Sequence, residues 1–487
     1  ALEDCSCHPK IDSCEVVIEE GTGIYSDLTA QRWGADGDAA QMETDPSSLM
    51  NPFAVGDLDD DRLPDVYVSG YTYADRMVMN DGYEHDTPWI NQNRVGAGAF
   101  RFNTYRAMPE RRAATEGVAF ADVNGDGLPD LVTCGNKAQT LVYVNNGSGK
   151  FIDVTEQAIP SYYQYSCRLA GLVVSDIDGD GDNDIHFEGT SDWHSSCPSG
   201  VTCNGRAQLI NDGTGHFTDL TSVNWGAGYT GFTTHVFTFD ADDDGDLDWI
   251  IGRNYNTSSY PTSMLINGGD TFHVGGAFAF DRSNPWLNNV DKWYIKKFAV
   301  IDINHDRFLD LYVGTTGTNR AWLNVDGQYF VNATSDTVPP GPFISGAGFD
   351  TRDLVVADFD NDGDDDIIDI IDGRNRYNVR DAGNGFIDDT NDGMPNVGGN
   401  SIAADYGDFD DDGFLDLYIA NYNGKNQLFM NLGGSGFADA SEGLPWDQHL
   451  SYGAFVYDFD GDGDLDVLVP THMDQHRIYM NTAHDGL

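Results

Sequence analysis

Eight times along 487 residues the chain repeats one nine-residue acidic pattern, with aspartate at positions 1, 5 and 9 and aspartate or asparagine at position 3. Position 1 is Asp57, Asp122, Asp176, Asp240, Asp302, Asp358, Asp408 and Asp458, numbered below as loops 1 to 8. Position 3 is Asp59, Asn124, Asp178, Asp242, Asn304, Asp360, Asp410 and Asp460, and position 5 is Asp61, Asp126, Asp180, Asp244, Asp306, Asp362, Asp412 and Asp462. Position 7 varies through Leu63, Leu128, Asp182, Asp246, Phe308, Asp364, Phe414 and Asp464. Position 9 returns to aspartate as Asp65, Asp130, Asp184, Asp248, Asp310, Asp366, Asp416 and Asp466. One loop per supersecondary unit, with insertions of variable size, is the signature of a repeat architecture.

Oxygen ligands at positions 1, 3 and 5 of a tight loop converge on one point, position 7 can lend its backbone carbonyl, and position 9 adds a last carboxylate. A hard cation of calcium's size takes six to eight such oxygens, so all forty positions are read as calcium ligands, about eight ions in all. Glycine at position 6 permits the sharp turn; Arg62 and Arg307 replace it in loops 1 and 5, where a strained or weaker site is expected. An EF-hand would need a bidentate glutamate at position 12 and flanking helices. Position 12 is instead Val68, Thr133, Phe187, Ile251, Val313, Asp369, Ile419 and Val469.

The flanks read as strands. Short β-branched and aromatic runs precede and follow each loop, as in Gly117-Val-Ala-Phe120 and Asp130-Leu-Val-Thr133. Two more follow, such as Thr140–Val144 and Lys150–Thr155 around Asn145-Asn-Gly-Ser-Gly149. Four antiparallel strands per unit are the content of a propeller blade. The eighth unit ends without a fourth strand, but Gly23-Ile-Tyr-Ser-Asp-Leu-Thr29 has the outer-strand pattern Gly-x-Phe/Tyr-x-Asp-x-Thr. The expectation is an all-β, eight-bladed propeller over 23–487, closed by residues 23–30 as outer strand of the last blade. Its blades fall at about 48–104, 114–155, 168–221, 232–274, 294–334, 350–390, 401–441 and 451–482, behind a Cys-containing extension 1–22.

Against 26 basic residues stand 80 acidic ones, a formal charge of −54. That field repels nucleic acid and anionic membrane surfaces and opposes compaction unless cations or salt neutralise it; a saline medium is expected. No run of about 18 apolar residues is available for membrane insertion. The start lacks a signal-like segment, so a secretion signal is expected to have been removed already, and the end carries no lipid-anchor signal. Cys197 and Cys203 have the spacing of a local disulfide, and Cys134 with Cys167 is a second expected pair. Cys5, Cys7 and Cys14 leave one thiol over, either pairing between molecules or remaining a free buried cysteine. Disulfides together with calcium point to an oxidising, calcium-rich exterior, so an extracellular or cell-surface location is expected.

The text Ala121-Asp-Val-Asn-Gly-Asp-Gly-Leu-Pro-Asp-Leu-Val132 and Leu141-Val-Tyr-Val-Asn-Asn-Gly-Ser-Gly-Lys-Phe151 resembles the FG-GAP/VCBS repeat family, which includes the integrin α-subunit propeller. The resemblance covers roughly residues 23 to 482. Eight motifs depart from the seven blades of integrins, and calcium-bearing propellers of the rhamnogalacturonan lyase kind are similar in blade number. It implies a ligand face opposite the calcium loops, made by the strand 2–3 and strand 4–1 connections. Those supply the candidate ligand residues Tyr71, Tyr73, Trp193, Tyr255, Tyr260, Arg374, Arg376, Tyr377, Tyr422 and His472.

His472 and His476 would align on a metal only from a helix, and a surface pair is the simpler reading. Trp225, Trp286, Trp293 and Trp446 read as wedges between blades or as sugar platforms. No nucleophile elbow, phosphate-cradling loop or Cys/His arrangement occurs. The first hypothesis is therefore a secreted binding or adhesion module for extracellular glycan or protein. The alternatives are a self-associating subunit of a filament or surface layer, and a polysaccharide lyase or hydrolase.

Overall fold

The computed structural model describes residues 15–17, 24–27, 53–58, 64–68, 76–80, 100–102, 115–135, 140–147, 150–160, 169–189, 206–220, 235–252 apart from 246, 263–267, 272–274, 295–339, 350–381, 385–444, 450–471 and 477–481. It is all-β, mostly antiparallel, and arranged like a β-propeller. Each acidic loop is the hairpin connection between the first and second strands of a sheet. In loop 2 it joins Thr115–Ala121 to Asp130–Gly135, with Ala121 opposite Asp130.

Loops 1 to 5 head four-stranded sheets whose strands pair in sequence order. The strands of loops 6 and 7 join into one larger sheet through a short pairing of Asp372 with Asn400 and Gly373 with Gly399. The last sheet has five strands. Phe455–Tyr457, Asp466–Val469 and Arg477–Asn481 are followed in space by Ile24–Asp27, with Tyr25 opposite Asn481, and then by Glu15–Val17. That fifth strand lies in the segment read from sequence as an extension.

The core sits between successive sheets, not within them. One apolar cluster joins Val132, Cys134 and Val142 of the loop 2 sheet to Ile185, Phe187 and Leu209 of the loop 3 sheet. Equivalent clusters join sheets 1 and 2, 4 and 5, 5 and 6, 6 and 7, and 7 and 8. A second strand packed between two neighbours is apolar on both faces, and Asp310–Thr315 and Asp416–Asn421 are buried at every residue. Outer strands alternate: Phe151 is buried and Ile152 is 54% exposed. Five first strands begin with a shift in register, at Thr115/Gly117, Leu169/Gly171, Ile295/Lys297, Thr351/Asp353 and Ser401/Ala403, a bulge that bends the strand where it enters the sheet.

The outer-strand pattern has a physical reason. The Thr390 hydroxyl accepts the N–H of Tyr377 at 3.0 Å, while the Thr390 N–H donates to Asp388 Oδ1 at 3.1 Å. Thr155 and Thr334 serve Val142 and Ala321 in the same way, and Ser441 serves Leu428. Each hydroxyl satisfies a buried strand-3 amide that the short outer strand does not reach, and each opens a single helical turn.

Candidate metal centres and the opposite end

Loops 2, 3, 5, 6, 7 and 8 are described throughout, and loop 4 apart from Asp246; Asp59, Asp61 and Leu63 of loop 1 lie outside the described residues. Every described loop is wound on its position-1 carboxylate. In loop 2 the N–H groups of Gly125 and Asp126 donate to Asp122 Oδ1 and that of Gly127 to Oδ2, at 2.8, 3.2 and 2.7 Å. The position-6 N–H donates to the position-1 Oδ2 in loops 3 to 8 as well. Such a winding needs left-handed backbone twice. Position 6 has φ from 84° to 101°, and position 4 has φ from 57° to 76°. Sequence reading found the first requirement and missed the second, which asparagine, aspartate, histidine and glycine meet at position 4.

The position-9 aspartate is buried and held at both oxygens. Asp130 Oδ2 accepts the N–H of Val123 at 3.0 Å, and Oδ1 that of Asn145 at 2.7 Å. The pair recurs at Asp184, Asp310, Asp366, Asp416 and Asp466. Burial outweighs these bonds in the ion-free chain. It pushes Asp130 up to about 6 and Asp184, Asp310, Asp366 and Asp416 up to about 7. Position 5 closes on the position-7 amide, as in Asp412 Oδ1 accepting from Phe414 at 2.9 Å.

Carboxylate oxygens of positions 1, 3 and 9 lie within 4.8 Å of one another in loops 3, 4, 7 and 8, and those of positions 1, 3 and 5 in loop 6. Asp178 Oδ1 and Asp242 Oδ1, both at position 3, are buried oxygens without a hydrogen-bond partner. Burial and then the position-5 carboxylate raise both acids, Asp242 to about 6. A buried, unpartnered carboxylate oxygen facing other carboxylates costs free energy unless a cation meets it. The residues therefore fit a hard divalent ion. Positions 1, 3 and 9 would hold it, with position 5 in loop 6, and once bound it would supply the positive charge that these acids otherwise lack. Loops 2 and 5 form no acidic trio among the described residues. Asn124 and Asn304 donate instead to Asp126 Oδ2 and Asp306 Oδ2, at 3.0 and 2.9 Å.

At the other end of the sheets, the candidate ligand residues separate. Arg374 donates to the carbonyls of Thr390, Met394 and Pro395, tying down the turn after the outer strand. Arg376 is 5% exposed and bonds Asp388 at 3.0 Å, with Asp369 3.8 Å away. Tyr377 is 2% exposed, packs on Phe359 and Phe437, and donates its hydroxyl to Asp366 Oδ2 at 2.9 Å. All three are engaged in bonds or packing within the fold, and of them Arg376 also lines a recess at this end. Tyr422 is half-buried and stacks edge-on with Tyr452 at 5.5 Å. Tyr71, Tyr73, Trp193, Tyr255, Tyr260 and His472 lie outside the described residues, as do His476, the four connecting tryptophans and every cysteine but Cys134. A recess opens at this end between the sheets of loops 5 and 6, lined by Thr318, Asn319, Thr351, Asp369, Ile371 and Arg376.

Sequence reading also missed the asparagine that ends the third strand. Asn145, Asn211, Asn324, Asn431 and Asn481 each send Nδ2 into the preceding sheet, to the position-2 carbonyl of its loop, at 2.7 to 3.0 Å. The recurrence of asparagine at that point, just ahead of a glycine-containing turn in most units, was the available signal.

Sheets packed face to face, each headed by an acidic hairpin loop, define a repeat protein. The model of the FG-GAP-like repeat matches residues 57–133, 122–187, 302–368 and 408–469, over half of the sequence, and the chain belongs to that family. No curated protein sequence matches it. Among solved structures, Sqt1 of Saccharomyces cerevisiae is similar in fold, with a TM-score of 0.55 at 11% identity over 90% of this chain and 96% of that one. An Agrocybe aegerita lectin that recognises non-reducing terminal N-acetylglucosamine aligns with a TM-score of 0.46 at 17% identity, covering 88% and 97%. A rhamnogalacturonan lyase of Bacillus licheniformis aligns at 0.37 and 14%, covering 97% and 90%.

Proposed function

We propose that the chain is a secreted, calcium-stabilised propeller of eight blades, closed by its N-terminal strand, that binds an extracellular glycan or protein at the end opposite the ion loops. The observation carrying the calcium reading is the buried position-3 oxygen of Asp178 and of Asp242, each without a partner inside a carboxylate cluster. Pairing of Tyr25 with Asn481 supports closure, since it covers the edge that the last sheet would otherwise present. The division of labour supports the binding face. Acidic trios sit at the loop end of five sheets, while the recess lined by Asp369 and Arg376 opens at the other end. Among the described residues no helix is long and apolar enough to cross a membrane.

Calcium at 100-fold above its Kd would stabilise the fold by about 2.7 kcal/mol per independent site. A large fall in melting temperature on adding EDTA, reversed by calcium and not by sodium, is the expected result; an unchanged melting curve would overturn the calcium reading. A glycan array run beside a reducing-end assay then separates binding from turnover. Retention on the array without new reducing ends supports a binding module. New reducing ends would replace it with a lyase or hydrolase.

A further inference from the structure

The ion loops are not separate sites on a scaffold. Asn431 Nδ2 donates to Phe359 O, position 2 of loop 6, at 2.8 Å, and the Phe359 N–H donates to Asp366 Oδ2, position 9 of that loop. The Asn431 N–H donates at 2.7 Å to Asp416 Oδ1, position 9 of loop 7. Asp416 Oδ2 accepts from Phe409, whose carbonyl accepts from Asn481, whose own N–H donates to Asp466 of loop 8. One unbroken hydrogen-bonded path thus runs through the position-9 carboxylates of three consecutive sheets.

The same path runs from Asp65 through Leu58, Asn145, Asp130, Val123 and Asn211 to Asp184. Asn324 links loops 4 and 5. Arg380 replaces the asparagine in the sixth sheet, donating its N–H to Asp366 Oδ1 and its guanidinium to Asp302 O. The sheets also touch directly. A Cβ at Gly434 would lie 2.6 Å from Asp360 O, and one at Gly327 would lie 3.0 Å from Asp242 Cα. The turn after the third strand therefore seats on the ion loop of the sheet before it.

We infer that the loops load calcium as a coupled series, each filled loop raising its neighbour's affinity through the strand-3 asparagine that brackets the two. This rests on the calcium reading above. Ordering one loop fixes its position-9 carboxylate and position-2 peptide. Through the asparagine, it orders the equivalent carboxylate next door, so the second loop has less freedom left to lose. Linkage makes the effect mutual.

Native mass spectrometry of the full chain at half-saturating calcium tests this, because it counts ions on each molecule. Coupling of about fivefold or more between neighbours spreads the counts beyond the binomial distribution, enriching nearly empty and nearly full molecules at the expense of intermediate ones. The variants Asn431→Ala and Asn145→Ala keep every carboxylate and move the distribution toward the binomial one of independent sites. A binomial distribution in the parent protein overturns coupling, whether or not a variant folds. Saturation at several ions with that distribution leaves the calcium reading standing and removes only this inference. A chain that retains no ion at millimolar calcium overturns both.

Discussion

Arg307 has φ of 84° at a loop position that is glycine in every other fully described loop, and its N–H still donates to Asp302 Oδ2 at 2.9 Å. An L side chain there costs about 1–2 kcal/mol. Arg307→Gly is therefore expected to stabilise the protein by about 1 kcal/mol in thermal or urea unfolding, and Arg307→Ala is not. The strain at that residue was legible in the sequence, because the other loops supply the comparison. Tyr377, Arg374 and Arg376 were less legible. An aromatic beside two arginines near a connection has the composition of a binding patch, and only packing reveals that Phe359, Phe437 and Asp366 surround Tyr377. The strand-ending asparagines were hidden for a similar reason: asparagine before a turn ordinarily bonds its own backbone. Asn145 does so through Oδ1 to Gly147 while its Nδ2 crosses to Leu58.

At the scale of the strand, the loops and their flanking hairpins could be read directly, since aspartate spacing fixes where one strand stops and the next begins. The pairing of the two outermost strands with the last sheet was half legible. Ile24–Asp27 carried a recognisable pattern, while Glu15–Val17 is too short to announce itself. The hydroxyl that follows four of the described outer strands was visible as a pattern without a reason. Thr390→Val keeps shape and removes the acceptor for the buried Tyr377 N–H. A loss of about 1–3 kcal/mol is expected; the same exchange at an exposed threonine such as Thr318 should cost almost nothing.

For the whole molecule, the charge of −54 and the raised acids combine into a pH response whose sign depends on the ion. Without calcium, Asp184, Asp310, Asp366 and Asp416 titrate near 7 when folded, against an ordinary value of 3.8. The folded chain holds more protons between those limits, so its stability is fully present at the acid end and falls as pH rises toward 7. Melting temperature in EDTA should therefore rise as the pH drops from 7.5 to 5. In calcium the slope should reverse, because protons then compete with the ion for the same oxygens. Parallel slopes in the two buffers would show that these carboxylates are not where the ion goes.

The contact of Tyr25 with Asn481 also sets an order of events. Among the described strands, one of the earliest in the sequence is the partner of the last. It must stay unclaimed while every intervening sheet is synthesised, and until then the last sheet has a vacant edge that another copy's strand can fill. Exchange of this short segment between chains is the error to which crowded, newly made molecules of this protein are most exposed.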